Sequence, residues 1–397
     1  MNRIIGPLLA LAMLAGCGTG TPKKSTDDID EVLKTGVAQK KIPGAVAMVA
    51  SGDDIAYDKA FGMKKDAIFA IASMTKPVTS VAVMQLVEAG KIKLDEPASA
   101  YAPELAKVQV LDNGKLRPPK SPVTIRQLLT HTSGFAYEFM NQQLHDFVAK
   151  GGAPSESKGD DSFLQQPLMS DPGTRWEYGI SVDWLGRIVE KVSGESLEDY
   201  FRTKIFGPLG MPDSYFNVPA DKQSRRATIY IRKPDASLEP SPQQAPKQVT
   251  FFSGGAGLNS TASDYMKFER AIMAGGEWKG TRILTAESVA AMRKNQIGDL
   301  RLGGFHSAMP QFATNNAVLS GGLNKFGLGF ALNTLPGPQG RGAYSMAWAG
   351  IYNTFFWIDP EKKVCAVLMT QMLPFWDPGP AAVFPEFEHS VYASLGK

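Results

Sequence analysis

The chain has 397 residues, 43% apolar and 20% charged, which excludes a disordered or fibrous protein and suffices for a large core without disulfide or metal staples. Its 42 basic and 39 acidic side chains give a net charge of +3 with no basic block, which speaks against nucleic acid as the main partner. Two cysteines, Cys17 and Cys365, exclude a disulfide framework and a cysteine zinc site; four dispersed histidines (His131, His145, His306, His389) point to no catalytic metal.

In chain order, Met1 to Gly16 carries Arg3 and then an apolar run of eleven residues from Ile4 to Leu14. A membrane-spanning helix needs about 20 residues, so residues 1–16 read as a signal peptide. Leu14-Ala15-Gly16-Cys17 resembles a bacterial lipobox. That resemblance implies lipidation at Cys17, with residues 17–25 as a flexible tether. The protein would then sit on the periplasmic side of the bacterial envelope, held to the membrane by this anchor alone. Gly18 after Cys17 leans toward the outer membrane.

Thr26 to Lys40 has helical spacing (Ile29, Val32, Leu33, Val37). Ala45–Ala50 and Ile55–Phe61 read as strands joined through Ser51-Gly52-Asp53, a hairpin. Met74 to Ala89 is an apolar helix ending at Gly90. From Leu94 to about Gln248 no hairpin is expected. Helical patches (125–130, 184–192, 197–205) alternate there with Pro- and Gly-rich loops, and 233–247 reads as an irregular connection. Thr261-Ala262-Ser263-Asp264 reads as a capping box opening a helix through Met273. Residues 299–325 read as loop. Strand-like runs follow at 327–333, 354–358 and 364–370, the last two joined by Asp359-Pro360-Glu361-Lys362, and a helix spans 381–395. Strands at both ends imply one sheet built from the two ends of the chain. Cys365, inside an apolar run, reads as a buried, inert thiol.

The chemistry begins at Ser73-Met74-Thr75-Lys76, a Ser-x-x-Lys pattern between strand-like Ile68–Ile71 and the apolar helix. A helix start places Ser73 beside unpaired backbone N–H groups, and Lys76 returns to the same face one turn later. An activated serine nucleophile needs such an arrangement, a base within reach and donors for an oxyanion. By itself the pattern equally suits a capping serine and a solvated lysine. No Gly-x-Ser-x-Gly elbow and no Gly-x-x-x-x-Gly-Lys phosphate loop occurs.

Phe69-Ala70-Ile71-Ala72-Ser73-Met74-Thr75-Lys76-Pro77 resembles the active-site motif of family VIII carboxylesterases, on the class C side of the serine β-lactamase and penicillin-binding protein superfamily. Further segments resemble the family in the family's order: Leu128 to Gly134, Pro172 to Gly179, Ile205 to Met211, Gly254 to Leu258 and Trp348-Ala349-Gly350. The resemblance implies a serine-β-lactamase-like α/β fold. Residues 26–95 and 250–397 would form an α/β region around an antiparallel sheet flanked by helices, and 96–249 a mostly helical region. Ser73 would be the nucleophile and Lys76 with Tyr178 the coupled base. The backbone N–H groups of Ser73 and Ile351 would form the oxyanion hole. Lys76 would help a Tyr178 phenolate form, and burial would oppose it. Trp348, Ala349 and Gly350 would line the substrate edge. Phe135, Tyr137, Phe375 and Trp376 flank loops able to rim the pocket. His131 reads as a hydrogen-bonded structural residue.

Two departures set the expected activity. Class C β-lactamases carry Lys-Thr-Gly where this chain has Trp348-Ala349-Gly350, and Tyr-x-Asn where it has Tyr178-Gly179-Ile180. A cation, a hydroxyl and an amide are missing, so the site suits a neutral short-chain ester better than an anionic lactam. The expected function is carboxylic ester hydrolysis through an acyl-Ser73 intermediate, with no cofactor, a small-molecule ester as partner and at most weak β-lactam turnover. The alternatives are a class C-like β-lactamase or a D-aminopeptidase or D,D-peptidase, and, in another class, a non-catalytic envelope lipoprotein. The sequence carries no signal of oligomeric state.

Overall fold

The computed structural model describes residues 26–242, 248–315 and 322–397; the expected signal peptide, Cys17 and the tether lie outside the described residues. Helix α1 (Asp27–Ala38) opens with Asp27, Asp28 and Asp30 in its first turn, where carboxylates favour the helix dipole, and buries Ile29 and Leu33. Strands β1 (Ala45–Ser51) and β2 (Asp54–Phe61) form the expected hairpin. Helix α2 (Thr75–Glu88) carries the lysine of the Ser-x-x-Lys pattern, helix α3 (Ser181–Ser193) follows Tyr178-Gly179-Ile180, and helix α4 (Ala262–Met273) precedes the remaining strands. These are β3 (Lys325–Phe326), β4 (Ala331–Leu332), β5 (Met346–Gly350), β6 (Thr354–Asp359) and β7 (Val364–Met369), followed by helix α5 (Pro378–Leu395).

The seven strands make one antiparallel sheet in the order β3-β4-β5-β6-β7-β1-β2. Val46 stands opposite Met369, so the first hairpin is paired to the last long strand. Strands β5, β6 and β7 are buried along their whole length because helices cover both faces. Alternation along β6 shows this. Phe355 and Trp357 meet Phe384 and Phe387 of α5, while Phe356 between them meets Tyr265 of α4. Each such buried ring contributes roughly 1.5–3 kcal/mol of transfer free energy. The architecture is the expected α/β fold, an antiparallel sheet flanked by helices with a mostly helical stretch inserted between its strands.

Four local expectations are corrected. Of the run 327–333 only Ala331–Leu332 is strand. Residues 327–330 turn the chain back from β3 into β4, with Gly327 N–H bonded to Phe330 O and Gly329 at φ 91°. The 94–248 stretch holds two short hairpins. Val110–Asp112 pairs with Lys115–Arg117 across Asn113-Gly114, both at positive φ, the turn chemistry that closes a two-residue hairpin. Tyr230–Arg232 pairs with Leu238–Pro240, so a short strand lies inside the connection read as irregular over 233–247. The cap of α4 is one-sided: Thr261 Oγ1 accepts from Asp264 N–H, but the Asp264 carboxylate accepts from Asp213 N–H and Ser214 Oγ instead of bonding back. The final helix starts at Pro378 behind an Asp377 cap, since proline in a first helical turn forfeits no internal hydrogen bond. Cys365 is buried as expected, its Sγ 3.4 Å from Met273 Sδ and its pKa pushed up by burial.

Candidate active site

Ser73 is presented by a short junction. Phe69–Ala70 pairs with Asn259–Ser260, and Ile71 N–H bonds to Leu258 O at 3.0 Å, which fixes the strand end. The chain then turns through Ala72, which holds φ at 43°, a left-handed conformation a non-glycine residue adopts only when its surroundings impose it. Ser73 follows in a single 3-10 turn that runs into α2, and is partly exposed among buried neighbours.

Lys76, one turn into α2, is 1% exposed. Its Nζ lies 3.0 Å from Ser73 Oγ, 2.9 Å from the Tyr137 hydroxyl and 2.8 Å from Gly255 O. The Tyr178 hydroxyl donates to Ser73 Oγ at 2.6 Å. Ser73, Lys76 and Tyr178, predicted as a set, therefore meet at Ser73 Oγ. Gly179 makes that possible. A Cβ there would lie 2.4 Å from the backbone of Ala136, so only glycine lets the Tyr178 segment press against the Tyr137 segment, where Tyr137 N–H bonds to Tyr178 O at 3.2 Å. Behind Tyr137, Asp183 in the first turn of α3 accepts from Ser253 Oγ and from Gly255 N–H.

Burial decides the protonation states. Desolvation brings Lys76 down to about 7, against the upward pull of the Asp183 and Glu156 carboxylates. Burial pushes the Tyr178 phenol up, although the Ser73 hydrogen bond pulls it down. Tyr137 is pushed up as well, by burial and by Asp183. Burial thus works against a Tyr178 phenolate and against a Lys76 ammonium alike, and brings the lysine toward neutrality. Burial also raises Asp183 itself, with Lys76 opposing.

Trp348, Ala349 and Gly350 form the end of β5 and line the same cavity as Ser73, Tyr178 and Ile351. A Cβ on Gly350 would lie 2.4 Å from both Ile71 O and Thr354 Oγ1, so glycine alone lets the strand end approach the junction carrying Ser73. The Trp348 indole N–H lies close enough to ease a Tyr178 phenolate but makes no hydrogen bond of normal geometry. Phe139, Met140, Phe305 and Phe375 complete the lining. The void totals about 310 Å³, of which about 20 Å³ can take the centre of a water molecule, room for roughly one or two waters.

Several expected residues sit elsewhere. Phe135 is fully buried against Trp184, ring centres 6.4 Å apart, and does not reach the cavity. Tyr137 belongs to the lysine's hydrogen-bond set, away from any rim. Trp376 packs on Phe355, and only Phe375 lines the cavity. Ile180 is fully buried at the start of α3 and forms no part of the wall. His131 is held by rings more than by hydrogen bonds: it stacks on Trp348, meets Tyr178 edge-on at 5.0 Å, and its Nδ1 has no partner. The sequence reading missed Asp183, Phe139, Met140 and Phe305. Asp183 had one signal, an acid five residues after Tyr178 at a helix start. The other three lie in loops without a pattern. Among the described residues no cluster of His, Cys, Asp or Glu could hold a metal ion.

A family model described as Beta-lactamase matches residues 29–382. Protein Rv1367c of Mycobacterium tuberculosis is 32% identical, covering 93% of this chain and 98% of its own. Monacolin J acid methylbutanoyltransferase of Aspergillus terreus is 29% identical over 92% of this chain and 95% of its own. Lovastatin esterase of Penicillium rubens is 29% identical over 92% of this chain and 98% of its own. Among solved structures, unliganded simvastatin synthase from Aspergillus terreus superposes with a TM-score of 0.76 at 28% identity, covering 92% of this chain and 97% of that one.

Proposed function

The chain belongs to the Beta-lactamase family, and from that footing we propose that it cleaves short-chain carboxylic esters through an acyl-Ser73 intermediate. One observation carries the reading: the cavity that holds Ser73 is walled by Phe139, Met140, Phe305, Trp348 and Phe375, with no cation among its lining residues. Such a wall takes a small apolar acyl group and offers a substrate carboxylate nothing.

In the proposed cycle, neutral Lys76 takes the Ser73 proton across the 3.0 Å contact as Oγ attacks the ester carbonyl. The backbone N–H groups of Ser73 and Ile351 receive the oxyanion. Tyr178 gives its proton to the departing alkoxide and takes one back from the Lys76 ammonium, which lies against its ring. Water then enters by the reverse route and releases the acid. Tyr137 and Gly255 O hold the amine in place throughout.

A second reading, acyl transfer to an alcohol, is favoured by the names of the relatives, which include both a methylbutanoyltransferase and an esterase. It uses the same acyl-Ser73 intermediate with an alcohol in place of water. Turnover of p-nitrophenyl esters of two- to twelve-carbon acids, with nitrocefin alongside and Ser73→Ala as control, tests the first reading. Adding a primary alcohol and measuring the new ester against free acid tests the second. Efficient nitrocefin cleavage with poor ester cleavage would replace both with a β-lactamase. A fluorophosphonate that leaves Ser73 unlabelled in folded protein would favour a non-catalytic role.

A further inference from the structure

Beside the catalytic cavity the surface opens into a wider groove, about 1440 Å³ against the cavity's 310 Å³. Its walls continue those of the cavity. Tyr352 follows Ile351, Leu373 leads into Phe375, and Phe312 packs against Phe139 with ring centres 6.3 Å apart. A molecule whose ester carbonyl sits at Ser73 would extend into this groove with whichever end the tight cavity cannot hold.

The groove carries one cation with no acidic partner. Lys222 and Arg225 beside it are both paired with Asp213, and Arg225 also with Asp66. Arg226 differs: its guanidinium makes a single long contact, to Gln223 Oε1 at 3.5 Å, and no ion pair among the described residues. No Asp or Glu lines the groove, and residues 1–25, 243–247 and 316–321 contain none. Arg226 and Tyr352 line the same groove, and Tyr352 is the residue next to Ile351 of the catalytic cavity.

We propose that this groove is the alcohol-side subsite and that Arg226 selects substrates whose alcohol portion carries a carboxylate. The proposal rests on the ester-cleaving reading above. The apolar cavity takes the acyl group, and the anionic end of the alcohol pairs with a guanidinium that has no internal carboxylate to be displaced. A planar guanidinium can bind a carboxylate through two N–H donors at once. The covalent step is unaltered: the acyl carbon leaves the alcohol oxygen for Ser73 Oγ, and the alcohol departs with the Tyr178 proton.

The test compares kcat/KM for 4-acetoxyphenylacetate and its neutral twin 4-acetoxyphenylacetamide, and for the corresponding butanoate and butanamide, which move the charge outward. The expected ratio of anion to amide is about tenfold for the better spacer, as for one charge-assisted hydrogen-bonded pair. Arg226→Ala should bring that ratio to about one, and Arg226→Glu should invert it. A wild-type ratio near one for both spacers, or a ratio unchanged in Arg226→Ala, overturns the proposal while the esterase reading stands. If no ester is turned over, the esterase reading fails. The groove is then judged by calorimetry of 4-hydroxyphenylacetate on Ser73→Ala: binding lost in Ser73→Ala/Arg226→Ala supports it, and no binding overturns it.

Discussion

Tyr137 and Tyr178 meet edge to face, ring centres 5.1 Å apart, and the Lys76 amine lies against both rings. Their hydroxyls divide the labour, since Tyr178 bonds to Ser73 Oγ and Tyr137 bonds to Lys76. The two tyrosines should therefore fail differently. Tyr178→Phe should lower kcat about a thousandfold, as for loss of a general acid. Tyr137→Phe should lower kcat by only about tenfold. Because it removes a hydrogen bond that favours the ammonium, it should also move the acid limb of the rate profile to lower pH. Stopped assays of both variants across pH separate these outcomes; equal losses with unmoved profiles would contradict the division.

The pH dependence follows from Lys76, held down to about 7 by burial. Below that pH the amine is protonated and cannot accept from Ser73. The ester kcat/KM should thus rise with pH through about 7 and level above it. A profile flat from pH 5 to 9 would remove Lys76 as the base.

The same shift has a stability consequence. A lysine at about 7 in the fold and 10.5 unfolded binds more protons in the unfolded chain between those values. Its contribution to stability therefore rises with pH across that window, and at lower pH the buried ammonium costs the fold roughly 5 kcal/mol. Lys76→Met should raise the melting temperature at pH 6 while abolishing turnover, although the unpartnered Gly255 carbonyl offsets part of the gain. A lower melting temperature at that pH would mean the amine's contacts outweigh its desolvation.

Gly350→Ala should reduce activity by about two orders of magnitude, because the new methyl would force β5 away from Ile71 and open the gap between Ser73 and Ile351. Thermal melting and active-site titration together distinguish this from global unfolding.

Phe305→Ala should shift the preferred acyl chain toward longer esters. Its ring packs on Trp176, Tyr178 and Phe375, and its removal deepens the tight cavity. The chain-length profile of p-nitrophenyl esters is the readout.

Much of this molecule was legible from sequence where a single segment carries its own physics. The first hairpin, α2 and the strands at β6 and β7 follow from turn residues and apolar runs, Ser73 and Lys76 are flagged by their Ser-x-x-Lys spacing, and Tyr178 comes only with the family resemblance. Legibility failed where a residue's direction depends on distant chain. Phe135 and Tyr137 are two positions apart in a loop, yet one is core and the other holds the lysine. The choice is made by the Gly179 contact with Ala136, forty-odd residues downstream. Phe305 likewise gains its place from rings at 176, 348 and 375.

The pairing of β1 with β7 also constrains how this protein comes into being. Val46 has its partner in Met369, more than three hundred positions later in the chain. During synthesis the first hairpin therefore has an unsatisfied edge until nearly the whole polypeptide has emerged. Ser73 likewise lacks the strand that lines its cavity until residue 350 is made. Folding must close very long loops before the sheet rewards it, which makes it slow. The nascent chain thus depends on being kept from aggregating through its open strand edge, and catalytic competence arrives only with the finished polypeptide.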